Sequence, residues 1–171
     1  MAESNDTALA PYYYRDNYLR LCDTVEAQYG DVLHAAERDF LRTFRNLDEK
    51  AQCLYVRLVT RIGPWFRESK LRYGELGPVA PILDTLISQG LVEEAATLSA
   101  QEMGKLFTRG ELQQAFPNHG CARSQDKPAL LLAIDALQLM IVLSEYQNKW
   151  AIGEERVIRA LSAHADRRPL D

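Results

Sequence analysis

Apolar residues recur at helical spacing through most of this chain. Tyr14, Tyr18, Leu21, Cys22, Val25 and Tyr29 follow at steps of four, three, one, three and four, one face of a helix that Gly30-Asp31 breaks. Leu33, Phe40, Leu41, Phe44 and Leu47 line a second helix. Asp48 is an expected N-cap for a third. Ala51, Leu54, Tyr55, Leu58 and Ile62 form its buried stripe, with Arg57 and Arg61 four apart on another face. Gly63-Pro64 stops that helix, because proline disfavours helical backbone in the residue before it. Trp65 to Tyr73 reads as extended. Gly77-Pro78 opens a further helix with Val79, Ile82, Leu83 and Leu86 inward and Gly90 at its end. Leu91-Val92 suits a short strand. Helix, extended segment, helix and strand in that order predict a winged-helix-like domain.

A second pattern begins near Leu98. Ser99 to Glu102 and Thr108 to Glu111 each read as a capping box. The second opens a short helix burying Leu112 and Phe116. Pro117-Asn118-His119-Gly120 is a turn cluster, and a polar loop from Cys121 to Asp126 leads to a helix starting near Pro128. The stretch from Pro128 to Leu143 is the most apolar. It is interrupted by Asp135 and Gln138 and falls short of the roughly 20 residues that span a bilayer, so it reads as a buried helix. The last helix is expected over about Gly153 to His164, with Val157, Ile158 and Leu161 on one side. The expected division is a disordered tail at 1–10, N-terminal helices with the winged-helix-like domain at 11–97, a helical unit at 98–138 and a helical extension at 139–171. The fold class is mainly α.

Composition narrows the function classes. The chain has 171 residues, 47% hydrophobic and 26% charged, with a net charge of −4, so it is no polycation. Any nucleic-acid contact must come from cations sorted onto one face. Cys22, Cys53 and Cys121 are odd in number and lack C-x-x-C spacing, which fits reduced thiols in a cytoplasmic protein. The residues from Met1 to Leu9 are polar and too short for a secretory leader.

Within that acidic whole, Arg57, Arg61, Arg67, Lys70 and Arg72 are offset by Glu68 alone, a local +4, with Trp65, Phe66 and Tyr73 among them. Cations meet phosphates and aromatic faces meet exposed bases. A solvated basic face beside core aromatics fits the same composition. The stretch from Gly77 to Gly90 contains no Lys or Arg, and its polar residues beside Asp84 are Thr85, Ser88 and Gln89. A helix reading base edges normally offers Arg, Lys, Asn or Gln. Contact is therefore expected mainly with phosphate, and so with DNA shape. Glu68-Ser69-Lys70 matches the E-x-K fragment of metal-dependent nucleases, but no further carboxylates are placed to share a metal. His119 and Cys121 share a loop without completing a zinc site, and His34 and His164 have no partner at ligand spacing.

Leu54-Tyr55-Val56-Arg57-Leu58, Gly63-Pro64-Trp65-Phe66-Arg67 and Lys70-Leu71-Arg72-Tyr73 resemble the Fanconi-anaemia-associated nuclease family, whose members end in a virus-type replication-repair nuclease domain. Tyr13-Tyr14-Arg15-Asp16-Asn17-Tyr18-Leu19 and Asp23-Thr24-Val25-Glu26 resemble its bacterial members, and Leu83 to Val92 extends the likeness. The resemblance implies a winged-helix-like DNA-binding domain followed by a SAP-like helix-loop-helix. Arg109, Leu112, Gly120, Arg123, Ser124, Lys127 and Leu130 occupy the SAP-like pattern, although its loop holds Asp126 and is not lysine-rich. It further implies 5′-flap and branched-DNA cleavage in interstrand crosslink repair, with magnesium or manganese serving a nuclease domain beyond the reach of the likeness, which runs from Tyr12 to Leu137. The chain itself is expected to be non-catalytic, cofactor-free and not membrane-bound, with DNA as partner.

The expected DNA-binding residues are Arg57, Arg61, Trp65, Arg67, Lys70, Arg72, Tyr73, Arg109, Arg123, Ser124 and Lys127. The competing readings are a protein-interaction module that docks a repair nuclease or partner, favoured by the acid-rich first fifty residues, and a winged-helix transcriptional regulator.

Overall fold

A computed structural model describes residues 10–116, 126–136, 141–142 and 155–162. In chain order the elements are α1 (Tyr13–Tyr29), α2 (Ala35–Asn46), α3 (Glu49–Val59), β1 (Phe66–Arg67), a 3-10 turn (Glu68–Lys70), α4 (Ala80–Ser88), β2 (Val92–Glu94), β3 (Thr97–Leu98), α5 (Ala100–Leu106), α6 (Arg109–Ala115), α7 (Lys127–Asp135), β4 (Ile141–Val142) and β5 (Val157–Ala160). The described residues are mainly helical. The chain divides into two compact units that share it by turns: residues 1–62, 73–92 and 160–171 form one, residues 63–72 and 93–159 the other.

The first unit is organised around α3. Asp48 caps it by accepting from the Ala51 N–H at 2.9 Å. Seven of its residues are buried, Ala51 to Val56 and Leu58, as befits a helix enclosed on nearly all sides. The one polar residue among them, Gln52, is satisfied: Nε2 donates to Phe44 O and Arg45 O, and Oε1 accepts from Arg15 Nε at 2.8 Å. Tyr18, Phe40, Phe44 and Tyr55 pack edge-on, stacked or tilted at centroid distances of 5.1 to 6.4 Å. On α4, Ile82, Leu83 and Leu86 are buried. Gly90 ends that region at φ 68°, a conformation glycine adopts without a Cβ penalty. Three apolar positions depart from the expected stripes. Leu21, Tyr29 and Ile62 are exposed, and Ile62 lies past the end of α3 with its side chain wholly in solvent.

The second unit builds its core from Leu98, Met103, Phe107, Leu112, Phe116, Leu130, Ile134 and Val157 with smaller alanines between. Both expected capping boxes are present. Ser99 Oγ accepts from the Glu102 N–H while Glu102 accepts from the Ser99 N–H, and Thr108 and Glu111 repeat the arrangement. Asp126 caps α7 by accepting from Ala129 N–H. Residues Phe66–Arg67, Glu93–Glu94 and Val157–Arg159 lie in a sheet of order β1-β5-β2. β1 pairs antiparallel with β5, Phe66 opposite Ile158 and Arg67 opposite Val157. β3 pairs antiparallel with β4.

Two expected elements are corrected here. The segment from Trp65 to Tyr73 is extended only at β1, then turns once as a 3-10 helix. In place of the final helix expected across Gly153 to His164, the described residues hold a strand at Val157–Ala160. Val157 and Ile158 are adjacent and both buried, and an apolar pair fits a helix face or a strand covered on both sides equally well. Pairing with β1, a long-range event, decides between them.

Candidate nucleic-acid interface

The basic segment divides by burial. In the first unit Arg57 packs its guanidinium over the Tyr14 ring at 4.0 Å from the centroid and donates Nη2 to Glu75 Oε1 at 2.8 Å. Tyr14 Oη donates to the same Glu75 oxygen at 3.2 Å. The Glu75 carboxyl is lowered from its ordinary value by a backbone N–H that outweighs its burial, with Arg57 adding to the effect. Arg57 is thus held as a packing and ion-pair residue. Arg61 is exposed and donates Nη1 to the Tyr73 hydroxyl at 3.0 Å, which holds that half-buried ring against it.

In the second unit the expected contact at Arg67 is corrected. Its side chain is 4% exposed and lies between two carboxylates, Glu155 Oε2 at 3.0 Å and Glu111 Oε1 at 2.9 Å, with the Phe107 ring beneath it. A guanidinium so enclosed is held by its carboxylates and offers nothing to phosphate. Trp65 is likewise engaged: its indole N–H donates to Glu102 Oε1 at 2.8 Å, and Arg159 lies over the ring. The Glu102 carboxyl is lowered from its ordinary value by the Ser99 backbone N–H, which with the Ser99 hydroxyl and the Trp65 indole outweighs burial. Burial raises the Glu111 carboxyl, but the Thr108 N–H and Arg67 together bring it below its ordinary value.

The exposed cations of this unit are different. Lys70 and Arg72 flank the buried Leu71 and have no ion pair among the described residues. Lys105 on α5 is exposed too; it lay outside the expected set because no cluster of basic residues surrounds it in the sequence. It lines a shallow groove with Gln101, Gly104, Lys127, Pro128 and Leu131. Lys127 leans inward, donating Nζ to Phe107 O at 2.7 Å, a carbonyl at the end of α5. Arg109 is exposed at the first position of α6. Leu112 and Leu130, part of the SAP-like pattern, are wholly buried. Arg123 and Ser124, with His119, Gly120 and Cys121, lie outside the described residues.

Chemistry at Glu68 is constrained in the same way. Its carboxylate accepts from Arg156 Nε at 2.6 Å. Among the described residues no group of three or more His, Cys, Asp or Glu is placed to hold a metal ion. On α4, the exposed side chains of Pro81, Asp84 and Ser88, with Gln89 just past its end, leave a helix face without a cation.

Residues 12–93 match the family described as FAN1, HTH domain. Over 127 residues the chain is 35% identical to the Fanconi-associated nuclease 1 homolog of Pseudomonas aeruginosa, covering 74% of this chain and 23% of that protein. The chain is similar to the Fanconi-associated nucleases, through the helix-turn-helix domain at residues 12–93. The rice homolog, from Oryza sativa subsp. japonica, is 28% identical over 152 residues, 80% of this chain and 15% of its own length. Among solved structures, paFAN1 bound to DNA with a two-nucleotide 5′ flap and a gap superposes with a TM-score of 0.82 at 33% identity, covering 90% of this chain and 28% of that one. The chain therefore spans about a quarter or less of the Fanconi-associated nucleases it matches and corresponds to their N-terminal region. Its mainly α fold is that of their HTH and SAP region.

Proposed function

We propose that this chain is a structure-selective DNA-binding region that grips flap or branched duplex by its phosphate backbone, as the N-terminal part of a repair nuclease. The observation that carries the reading is the likeness, at 33% identity over 90% of the chain, to a nuclease held on 5′-flap DNA. The exposed Lys70 and Arg72, without an ion pair among the described residues, and the exposed Lys105 and Arg109 of the same unit are the cations this reading assigns to phosphate. The cation-free α4 argues for reading shape rather than sequence. Cleavage with magnesium or manganese, and action on 5′ flaps in crosslink repair, belong to this proposal for a whole nuclease.

An electrophoretic shift with 5′-flap, nicked and plain duplexes of equal length tests it. The flap is expected to shift at the lowest protein concentration. Equal shifts on all three remove the selectivity, and no shift at about 50 mM salt removes DNA binding. With either metal ion the chain is expected to leave the flap uncut; cleavage lost in Glu68→Ala would instead place a nuclease centre at the E-x-K triplet. Exposed Leu21, Tyr29 and Val32 in the first unit favour a second reading, a surface that docks a protein partner.

A further inference from the structure

One carboxylate ties down the turn that carries Lys70. Glu155, with its side chain 2% exposed, accepts from the Ser69 backbone N–H at 2.9 Å through Oε1 and from Ser69 Oγ at 2.6 Å through Oε2. The same Oε2 accepts from Arg67 Nε at 3.2 Å and Nη2 at 3.0 Å. Next to it the Glu68 N–H donates to Arg156 O at 2.9 Å, and Arg156 Nε returns a bond to Glu68 Oε2 at 2.6 Å. Arg67 and Ser69 are thus fastened to Glu155, and Glu68 to Arg156. The turn then closes with the Leu71 N–H donating to Glu68 O at 2.9 Å, and the Leu71 side chain is buried. Lys70 and Arg72, one on each side of Leu71, are left exposed.

A buried ion pair by itself is weak evidence for stability, since an apolar pair of similar volume often does as well. The Ser69 bonds are what an apolar pair could not replace. They fix the backbone and hydroxyl of the exposed turn, which is where a cation would need to be held in advance for binding. We propose that Glu155 is a positioning residue for phosphate binding: through Ser69 it presets the turn so that Lys70 and Arg72 meet the DNA backbone already ordered. This rests on the DNA-binding reading above. It assigns a binding role to a residue that touches no DNA and lies 86 positions from Ser69 in sequence.

The test is a double-mutant cycle on the full chain, read as the salt dependence of binding to a fluorescent 5′-flap duplex between about 50 and 200 mM KCl. Lys70→Ala with Arg72→Ala is expected to lower the log–log salt slope by about two in the native background, about one per phosphate contact. In an Arg67→Met/Glu155→Leu background, which removes the pair and leaves Glu111 to its Thr108 capping bonds, the same two substitutions are expected to lower it by less than about one. Arg67→Met/Glu155→Gln keeps an acceptor for Ser69 and is expected to restore the native fall. Equal falls in all backgrounds overturn the positioning role while leaving DNA contact intact. No fall in the native background removes the phosphate contact itself, and the inference with it. Circular dichroism confirms folding of each variant. If the Arg67→Met/Glu155→Leu background is unfolded, Ser69→Ala, which trims one hydrogen bond, takes its place: a smaller fall than native supports the role, an equal fall overturns it.

Discussion

The two halves of the basic segment look alike in sequence and differ in physics. In the first half Arg57 is engaged by Glu75 and Tyr14, Trp65 by Glu102, and Arg67 by Glu155 and Glu111, while Arg61 stays exposed with the Tyr73 hydroxyl as its partner. From Lys70 to Arg72 the cations stand in solvent around one buried leucine. Arg57, Trp65 and Arg67 are therefore committed to partners within the fold, whereas Lys70 and Arg72 are exposed. A local charge of +4 in the sequence says nothing about this division, because the partners of the first half come from distant positions.

The sharpest break of the contrast is Arg67→Ala. It leaves Glu155 buried without its cation, and the expected loss is about 3–5 kcal/mol of stability, measured by urea unfolding. A loss below about 1 kcal/mol would mean that Arg67 is not the enclosed ion the structure shows. Ser99→Ala should cost about 1 kcal/mol, because it removes the acceptor for the Glu102 N–H at the start of α5.

Acid supplies an effect of similar origin. The Glu102 and Glu111 carboxyls are lowered from their ordinary value of 4.5 in the folded chain. Their ionised forms therefore stabilise the fold fully above that value, and the contribution is lost as pH falls through the lowered folded values. The melting temperature is expected to drop below about pH 4.5, and less steeply in Glu102→Gln/Glu111→Gln. Identical acid profiles would contradict it. The smallest expected effect is on stability in Lys70→Ala and Arg72→Ala, within about 0.5 kcal/mol of the native chain, since neither has an ion pair to lose among the described residues. A larger loss would place them with the first half.

What was legible in the sequence was local. Asp48 before α3, and the Ser99–Glu102 and Thr108–Glu111 boxes, join residues three apart, and the capping rule reads them directly. The helix at Ala80–Ser88 and its lack of cations were legible for the same reason. The misreadings were non-local. Arg67 and Glu155 are 88 positions apart, so nothing near Arg67 announces that it is enclosed. Val157-Ile158 satisfied a helical stripe until β1 paired with it. Ile62 sat at the right spacing for the α3 stripe, but the helix ends at Val59, ahead of Gly63-Pro64. The interleaving of the two units is another product of pairing at a distance. A cut near Ala96, which the expected boundary at 97 suggests, would part β1 from β5 inside one unit, so point substitutions are the cleaner probe.

The most direct measurement is the reactivity of the Lys70 amine toward an acetylating reagent, followed by mass spectrometry with and without saturating 5′-flap DNA. Lys70 is expected to be strongly protected at about 50 mM salt and to regain its reactivity as salt rises and phosphate contacts weaken. A Lys70 that reacts equally fast in the saturated complex would contradict the claim that this exposed turn is where the chain holds DNA.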